Sequence, residues 1–297
     1  MKRFLLATVC CVLCFSIAAN AVEYKKDDVK WCKKQSLTTM FPDMCDSNEN
    51  PITGTVKSYD KNGKLVAEAP YQNGKLNGVA KEYYENGKLK LEVSYSEAKK
   101  DGFVRDYHEN GKLKTEIPYK TNVVDGLMKR YYDNGNLEAE IPYTNGKIVG
   151  VLKGYHKSGK LEGEMPYVDG RVTGTTKKYY ENGKLQMEFT TKDGSLEGVR
   201  KEYYENGKLK KEIAYKNNKA EGVLKEYYKD GKLAVEVPFK DGQTDGNGKW
   251  YYENGKPERE LVFSEGKAIS GYEYNKKDGT KRAIEGNDLL AYYLMQP

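Results

Sequence analysis

Hydrophobic and polar residues alternate on both sides of a central Asn-Gly pair in residues 78 to 95, GVAKEYYENGKLKLEVSY. An Asn-Gly pair between two β-favouring runs is the strongest short-range signal for a β-hairpin. We therefore predict a two-residue type I′ turn at Asn86-Gly87. Pairing outward from that turn sets Tyr84 opposite Leu89, Tyr83 opposite Lys90, Lys81 opposite Glu92, Ala80 opposite Val93 and Gly78 opposite Tyr95.

This register divides the hairpin into two faces, because successive side chains of a strand point to opposite sides of the sheet. One face is apolar and is predicted to be the core face. It carries Ala80, Tyr84, Leu89 and Val93, with Tyr95 lying across a glycine of the facing strand. The opposite face is charged and aromatic.

The hairpin pattern repeats every 24 residues without insertion. The turn glycines are Gly63, Gly87, Gly111, Gly135, Gly159, Gly183, Gly207, Gly231, Gly255 and Gly279. Such strict spacing requires each unit to stack on the next in the same way. We predict an all-β fold, an elongated antiparallel meander or solenoid of about ten 24-residue hairpins that spans residues 51–284.

A basic column and a glutamate column face each other in nine units of the charged face. The predicted pairs include Lys81 with Glu92, Lys129 with Glu140, and Lys201 with Glu212. An exposed cross-strand ion pair contributes only about 0.2 to 1 kcal/mol. We therefore interpret this ladder mainly as a device that fixes strand register.

A tyrosine column runs beside the ladder. Its candidate members for a binding stripe are Tyr83, Tyr107, Tyr131, Tyr155, Tyr179, Tyr203 and Tyr227. One interpretation is structural, with the rings packing against lysine stems and the next hairpin. The other is a ligand-binding aromatic stripe.

The N-terminus has the pattern of a secretory signal peptide over residues 1–21. Lys2 and Arg3 precede an apolar run, and Ala19-Asn20-Ala21 forms a small-x-small cleavage site. The run is shorter than the roughly 20 residues that a spanning helix needs. We expect an exported chain that begins at Val22 and has no transmembrane span after cleavage, and that resides in the periplasm, on the cell surface or in the medium.

Two cysteines follow the signal peptide, and both fall in a predicted N-terminal cap over residues 22–50. In an oxidising compartment Cys32 and Cys45 are expected to form a disulfide. A metal site is the weaker alternative, since two cysteines with no histidine nearby cannot fill a tetrahedral shell. Residues 285–297 are predicted to cap the other end, where an open array needs cover for its last strand.

The composition argues against an enzyme and against a nucleic-acid-binding protein. The chain has two histidines, His108 and His156, and both occupy a slot that is otherwise tyrosine. No nucleophile elbow, phosphate loop or HExxH motif is present. The formal net charge of +6 is spread over alternating acids and bases rather than a basic stripe. We predict no catalytic residues, no metal and no cofactor.

The unit G-x-x-K-x-Y-Y-E-N-G-K-L-x-x-E-x-x-Y, seen in residues 198 to 215, resembles the variant MORN repeat of bacterial proteins. The resemblance covers residues 54 to about 284. Proteins similar to this one often carry an antitoxin label from toxin-antitoxin systems. MORN proteins more broadly are associated with membrane-lipid binding and protein scaffolding, so the resemblance implies a binding role.

Two functions of different classes follow from these patterns. The leading hypothesis is an exported scaffold that binds a protein partner at the cell envelope or surface, for example on a host cell. The alternative is a binding module for anionic lipid headgroups or envelope glycan, using the lysine and tyrosine columns. Antitoxin-type partner binding ranks below both, because a signal peptide does not suit neutralisation of a cytoplasmic toxin.

Overall fold

The computed structural model describes residues 29–32 and 43–284. The predicted signal peptide (1–21) and C-terminal cap (285–297) lie outside the described residues, as does part of the predicted N-terminal cap. The chain divides into two compact units, Met1–Val123 and Val124–Pro297. All regular structure in the described residues is β-strand.

In the first unit, two short strands precede the repeats. The strands are β1 (Lys30–Trp31), β2 (Met44–Cys45), β3 (Gly54–Tyr59), β4 (Leu65–Gln72), β5 (Lys75–Leu76), β6 (Gly78–Tyr83), β7 (Leu89–Ser96), β8 (Lys99–Tyr107) and β9 (Leu113–Lys120). Strands β3 to β9 form antiparallel pairs with their neighbours along the chain, and the long strand β4 pairs both with the short β5 and with β6. A two-residue strand, β10 (Val123–Val124), follows.

The second unit continues the same element order. Its strands are β11 (Gly126–Tyr131), β12 (Leu137–Thr144), β13 (Lys147–Ile148), β14 (Gly150–Tyr155), β15 (Leu161–Val168), β16 (Arg171–Val172), β17 (Gly174–Tyr179), β18 (Leu185–Lys192), β19 (Ser195–Tyr203), β20 (Leu209–Lys216), β21 (Lys219–Tyr227), β22 (Leu233–Lys240), β23 (Gln243–Thr244), β24 (Gly246–Tyr251), β25 (Pro257–Ser264), β26 (Lys267–Tyr274) and β27 (Lys281–Ala283). The predicted all-β fold of tandem antiparallel hairpins is confirmed.

The hairpin of β6 and β7 has the predicted register over most of its length. Gly78 lies opposite Tyr95, and Lys81 lies opposite Glu92. Near the turn the prediction is wrong, because Tyr83 lies opposite Leu89 rather than Lys90. A bulge adds one unpaired residue to the second strand and shifts every pair beyond it by one.

The turn of this hairpin also differs from the prediction. The Tyr84 amide donates to the Lys88 carbonyl and the Gly87 amide to the Tyr84 carbonyl, both at 2.8 Å. Among the loop residues Glu85, Asn86 and Gly87, only the glycine has a positive φ, of 83°. This is a three-residue loop, a type I turn followed by a left-handed glycine. We call this turn, and its counterparts in the other repeats, the tyrosine turn.

A two-residue type I′ turn does occur, at the other end of each repeat, where one hairpin leads to the next. Asn73 and Gly74 both have positive φ, 51° and 80°, and their flanking residues pair. We call this the short turn. Its members are Asn73-Gly74, Glu97-Ala98, Thr121-Asn122, Asn145-Gly146, Asp169-Gly170, Asp193-Gly194, Asn217-Asn218, Asp241-Gly242 and Glu265-Gly266.

The predicted core face contains the most buried side chains of each unit. In the first unit these include Val56, Val93, Tyr95, Val104 and Ile117. In the second unit a cluster forms from Val237, Leu261, Phe263 and Ile284. The apolar columns therefore hold the hairpins together through one face of the sheet.

The predicted disulfide between Cys32 and Cys45 is present, with Cα atoms 5.2 Å apart. It joins β1 and β2, which pair with each other. Met44 then packs with Ile52 and Val56 at the start of the repeats. The Met44 amide donates to the carbonyl of Gly74 at 2.7 Å, so this segment covers the first short turn.

Candidate binding surface

The candidate tyrosine stripe lies where the first strand of each hairpin ends. The phenol hydroxyl of Tyr83 donates to Glu68 at 2.8 Å, and Glu68 belongs to the preceding repeat. The same bond recurs for Tyr107 with Glu92, Tyr155 with Glu140, Tyr203 with Glu188, Tyr227 with Glu212 and Tyr251 with Glu236. Tyr131 and Tyr179 are half-buried at the same strand position. The hydroxyls of this stripe therefore tie one repeat to the one before it.

This hydrogen bond shifts the pKa values of both partners. Burial and the hydrogen bond to Glu68 raise the pKa of Tyr83 to about 12. The bond from Tyr83 lowers the pKa of the Glu68 carboxyl. Both shifts follow because a phenol that donates to a carboxylate stabilises the charged acid and resists ionisation itself.

The second tyrosine of each pair contacts the following repeat. Tyr84 donates its hydroxyl to the carbonyl of Tyr107 at 2.6 Å. Tyr132, Tyr180, Tyr204 and Tyr228 make the same bond to Tyr155, Tyr203, Tyr227 and Tyr251. His156, in this slot, places Nε2 3.1 Å from the carbonyl of Tyr179. His156 therefore substitutes for tyrosine in the contact as well as in the sequence.

The remaining side chains of the tyrosine turn also join successive repeats. Asn206 accepts from the Lys208 amide and donates its side-chain amide to the Lys229 carbonyl in the next turn. Lys208 reaches the Asp230 carbonyl at 2.6 Å. The recurring Y-Y-E-N-G-K motif is thus largely a set of contacts between repeats.

The ladder has the predicted Cα register and a different pattern of side-chain contacts. Lys81 lies opposite Glu92, Lys129 opposite Glu140, and Lys201 opposite Glu212. However, Lys81 approaches Glu68 of the preceding repeat at 3.4 Å, and Lys249 approaches Glu236 of its preceding repeat at 3.7 Å. Arg105 contacts acids on both sides, Glu116 at 2.7 Å and Glu92 at 4.0 Å. Each glutamate is flanked by bases, so the ladder face is close to neutral.

An exposed apolar column on the ladder face was missed by the sequence reasoning. Its members directly follow the first glycine of a repeat. They lie two and four residues before the ladder lysine and the tyrosine of the stripe, so all three point to the same face of the sheet. We call it the apolar stripe: Val79 and Phe103 in the first unit, and Leu127, Val151, Val199 and Val223 in the second, each between 39% and 47% exposed. Prolines stand opposite several of them, for example Pro118 opposite Phe103. Its signal was present in the sequence as a period-24 apolar column.

Near the end of the array the structure departs from the 24-residue count. Counting in steps of 24 from Tyr251 places Asn275 in the stripe slot. The structure instead uses Tyr274, whose hydroxyl donates to Glu260 at 3.0 Å. Strand β26 thus ends one residue earlier than the count, and its turn is one residue longer, since the Asn275 amide donates to the Thr280 carbonyl where Tyr252 donates to Lys256 in the turn before.

The described residues contain no group of three or more His, Cys, Asp or Glu side chains that could hold a metal ion. A helix of the length and apolarity needed to cross a membrane is likewise not found in the part of the chain that the structure describes.

The fold and this surface define the class as a repeat scaffold of β-hairpins. Nine tandem segments match the MORN repeat variant family: residues 52–73, 76–97, 100–121, 124–145, 148–169, 172–193, 196–217, 220–241 and 244–265. These matches cover more than half of the chain, and the chain belongs to this family. MORN-repeat proteins are typically non-catalytic scaffolds that bind proteins or membrane lipids.

A search of curated proteins finds no match to the sequence. Two solved structures align with the chain, the crystal structures of TcdB2-TccC3-Cdc42 and TcdB2-TccC3. Both are 12% identical over 80% of this chain, with TM-scores of 0.18 and 0.13. The chain spans 18% and 19% of the length of those chains, and a likeness at this level carries no argument about function.

Proposed function

We propose that this MORN-repeat chain is an exported scaffold that binds a protein partner through the apolar stripe of its ladder face. The observation that carries the proposal is the exposure of Val199 and Val223, and of their counterparts, on a face that could have been polar. Contiguous exposed apolar residues with a polar surround are typical of interaction sites. Six repeats offer one such residue, whereas Thr55, Thr175 and Asn247 occupy the column in the others; the adjacent members Val199 and Val223 are one repeat apart, roughly 10 Å or two strand widths.

Charge balance favours a protein over an anionic lipid as the occupant. The lysines beside the apolar stripe lie next to glutamates, so the ladder face has little excess positive charge to attract lipid headgroups. The hydroxyls of the tyrosine stripe already donate to glutamates, which leaves fewer hydrogen-bond donors for a sugar. An apolar stripe within a neutral polar field matches the composition of protein interfaces.

Export is the second part of the proposal and rests on the N-terminal pattern at residues 1–21. The same pattern places the partner at the envelope, on the cell surface or outside the cell. It also argues against the cytoplasmic partner that an antitoxin role implies. The repeated contacts would give avidity to individually weak interactions.

Site-directed photo-crosslinking in the producing cells tests the binding surface. A photoreactive residue at Val151 or Val223 is expected to form a discrete adduct with one protein partner. The matched control places the same residue at Lys229, an exposed position in a tyrosine turn. Position-dependent adducts whose Val151 form disappears on a Val199→Asp/Val223→Asp background would support the proposal.

Two outcomes would contradict it. Equal adducts from Lys229 would mean that the surface has no preference. Retention of the full chain on vesicles of anionic phospholipid, abolished by Val199→Asp/Val223→Asp, would assign the stripe to lipid instead.

Mass spectrometry of the mature N-terminus, followed by protease treatment of intact cells, tests export. A chain that begins at Val22 and is cleaved on intact cells would place the partner outside. A retained Met1 and a fully protected chain would overturn the export proposal without affecting the binding surface.

A further inference from the structure

A small cavity opens on the face opposite to the apolar stripe, in the hairpin of β19 and β20. Arg200, Glu202, Lys211, Ile213 and Tyr215 line it, and its volume is about 110 Å³. Arg200 lies directly opposite Ile213, and Glu202 directly opposite Lys211. All five residues belong to the core face of the second unit.

Arg200 departs from its column in a way that the fold does not require. The same position in the other repeats is apolar or small: Val56, Ala80, Val104, Met128, Leu152, Thr176, Leu224 and Gly248. Because every repeat uses the same register, a residue that suits the structure in eight units would suit it in this one. The Arg200 side chain is 36% exposed and pairs with Glu202, so the fold tolerates this arginine, although the other repeats show that the column does not need a charge here.

The charges around the cavity are arranged in two pairs with one donor left over. Arg200 Nη2 donates to Glu202 Oε1 at 2.7 Å, and Lys211 Nζ lies 3.0 Å from Glu226 Oε1. Arg200 Nε is buried and has no hydrogen-bond partner among the described residues. A buried donor of this kind costs free energy until something accepts from it.

We propose that this cavity binds a carboxylate group. An arginine presents adjacent N–H donors that match a planar carboxylate, and Lys211 supplies a second cation. Both cations are already paired, Arg200 with Glu202 and Lys211 with Glu226, so the capacity left in the cavity is the one Arg200 Nε–H donor, which suits a single carboxylate oxygen better than a dianionic phosphate. Ile213 and Tyr215 offer apolar surface to the carbon atoms beside the carboxylate, and the volume suits one short side chain or a small acid.

NMR observation of the Arg200 Nε–H group in the full chain tests the proposal. The probe is a blocked glutamate, N-acetylglutamic acid α-amide, and its neutral control is the corresponding glutamine derivative. The glutamate probe is expected to shift the resonance in a saturable way, and the glutamine probe to leave it unchanged. Acetate binding as tight as the glutamate probe would indicate a free small acid as the ligand, whereas weaker acetate binding would indicate an acidic side chain of a protein.

Variants distinguish binding in this cavity from general attraction between the anionic probe and a basic surface. Arg200→Leu installs the residue found at Leu152 and Leu224 and should lower affinity about tenfold or more, the effect of one charge-assisted hydrogen bond. Lys210→Leu removes the same charge from an exposed neighbour outside the cavity and should leave affinity unchanged. Should Arg200→Leu fail to fold, Lys211→Met, which installs the residue that Met187 supplies in the same column, carries the same test.

Unchanged binding in Arg200→Leu or Lys211→Met, or an equal loss in Lys210→Leu, would overturn the proposal. Tighter binding of inorganic phosphate than of the glutamate probe would overturn the assignment to carboxylate. The site is on the opposite face from the apolar stripe, so its failure would be distinct from failure of the proposed partner surface.

Discussion

The tyrosine turn and the short turn of each repeat join neighbouring strands in different ways. At the tyrosine turn, side chains of one repeat reach the backbone of the next: Tyr204 hydroxyl, Asn206 amide and Lys208 ammonium all donate to carbonyls there. At the short turn, the contact between repeats is made by a backbone amide: the Gly242 amide donates to the carbonyl of Ala220, in the preceding repeat, at 2.9 Å.

The difference explains why one turn is nearly invariant within the chain and the other is not. All ten turn glycines are preceded by Asn, Ser or Asp, each of which can accept from the amide two residues on. Short turns range from Asn-Gly to Glu-Ala and Thr-Asn. A backbone contact tolerates many side chains, whereas a side-chain contact fixes residue identity.

Alkaline pH should give the largest loss of folding stability, because it ionises the tyrosines that lie beside the tyrosine turns. Tyr83, Tyr107, Tyr155, Tyr203 and Tyr251 have pKa values raised to about 12 from an ordinary 10.0. In the unfolded chain these phenols ionise first, so the stability they contribute is complete below pH 10 and is lost as pH rises towards 12. Urea unfolding and phenolate absorbance against pH check this.

Glu188→Gln sharpens the same experiment, because it removes the charged acceptor of Tyr203. Burial raises the pKa of Tyr203 first and the bond to Glu188 second, so that pKa should fall part of the way towards its ordinary value, while the pKa of Tyr95, to which Glu188 does not contribute, should not change. Titration of all 26 tyrosines together near pH 10 would contradict the assigned contacts.

Removing the disulfide should uncover the first short turn and leave the tyrosine turns intact. Cys32→Ala/Cys45→Ala opens a loop with a sequence separation of 13, worth roughly 3 kcal/mol in the chain-entropy model. Hydrogen exchange should accelerate at the amides of Met44 and Gly74. The amide of Gly87, in a tyrosine turn, serves as the internal control, and equal acceleration there would mean that the cap stabilises the whole unit.

Placing a short-turn dipeptide in a tyrosine turn should destabilise the protein by roughly 2 to 3 kcal/mol. Asn206→Glu/Gly207→Ala removes two hydrogen bonds, each worth about 1 kcal/mol, and forces alanine into positive φ. The matched control, Asp241→Glu/Gly242→Ala in a short turn, should lose about 1 kcal/mol from backbone strain alone. Urea denaturation measures both, and equal losses would remove the distinction between the turns.

Relieving strain in a short turn should give the smallest effect, a gain of about 0.5 to 1 kcal/mol. Ala98 has a φ of 62°, and glycine adopts that conformation without steric cost. Ala98→Gly keeps the backbone bond to Leu76 and the Lys75–Glu97 ion pair. Ala214→Gly, within β20, is the control and should lose stability, since glycine weakens a strand. A loss in both would show that the turn conformation is not strained.

The register and the fold were predictable because glycine, lysine and glutamate columns fix which residues face each other. The turns were not, because Asn-Gly occurs at both ends of the repeat and is favourable in either geometry. The bulge in β7 was hidden by Leu89, whose apolar character fits the core-face pattern even though it pairs with Tyr83. A single unpaired residue changes the face without changing the composition.

The role of the tyrosines could be predicted only as a choice between two interpretations. Their hydrogen-bond partners lie in other repeats, such as Glu188 for Tyr203, and depend on the offset between stacked hairpins. A pattern read within one repeat does not contain that offset. The exposed apolar stripe, by contrast, recurs at a 24-residue period within the sequence. It was not predicted because only the charged and aromatic columns were compared between repeats.

The contacts at the tyrosine turn are directional. Each repeat gives its donors forward through Tyr204, Asn206 and Lys208, and receives the same set from behind. Such an array has no preferred number of repeats, since internal units make and receive bonds of the same kind, even where His156 or Asn136 replaces the usual tyrosine or lysine. Whole 24-residue segments could be duplicated or lost with little change to the contacts of any other unit, while loss of a single residue would put the array out of step, as at Tyr274.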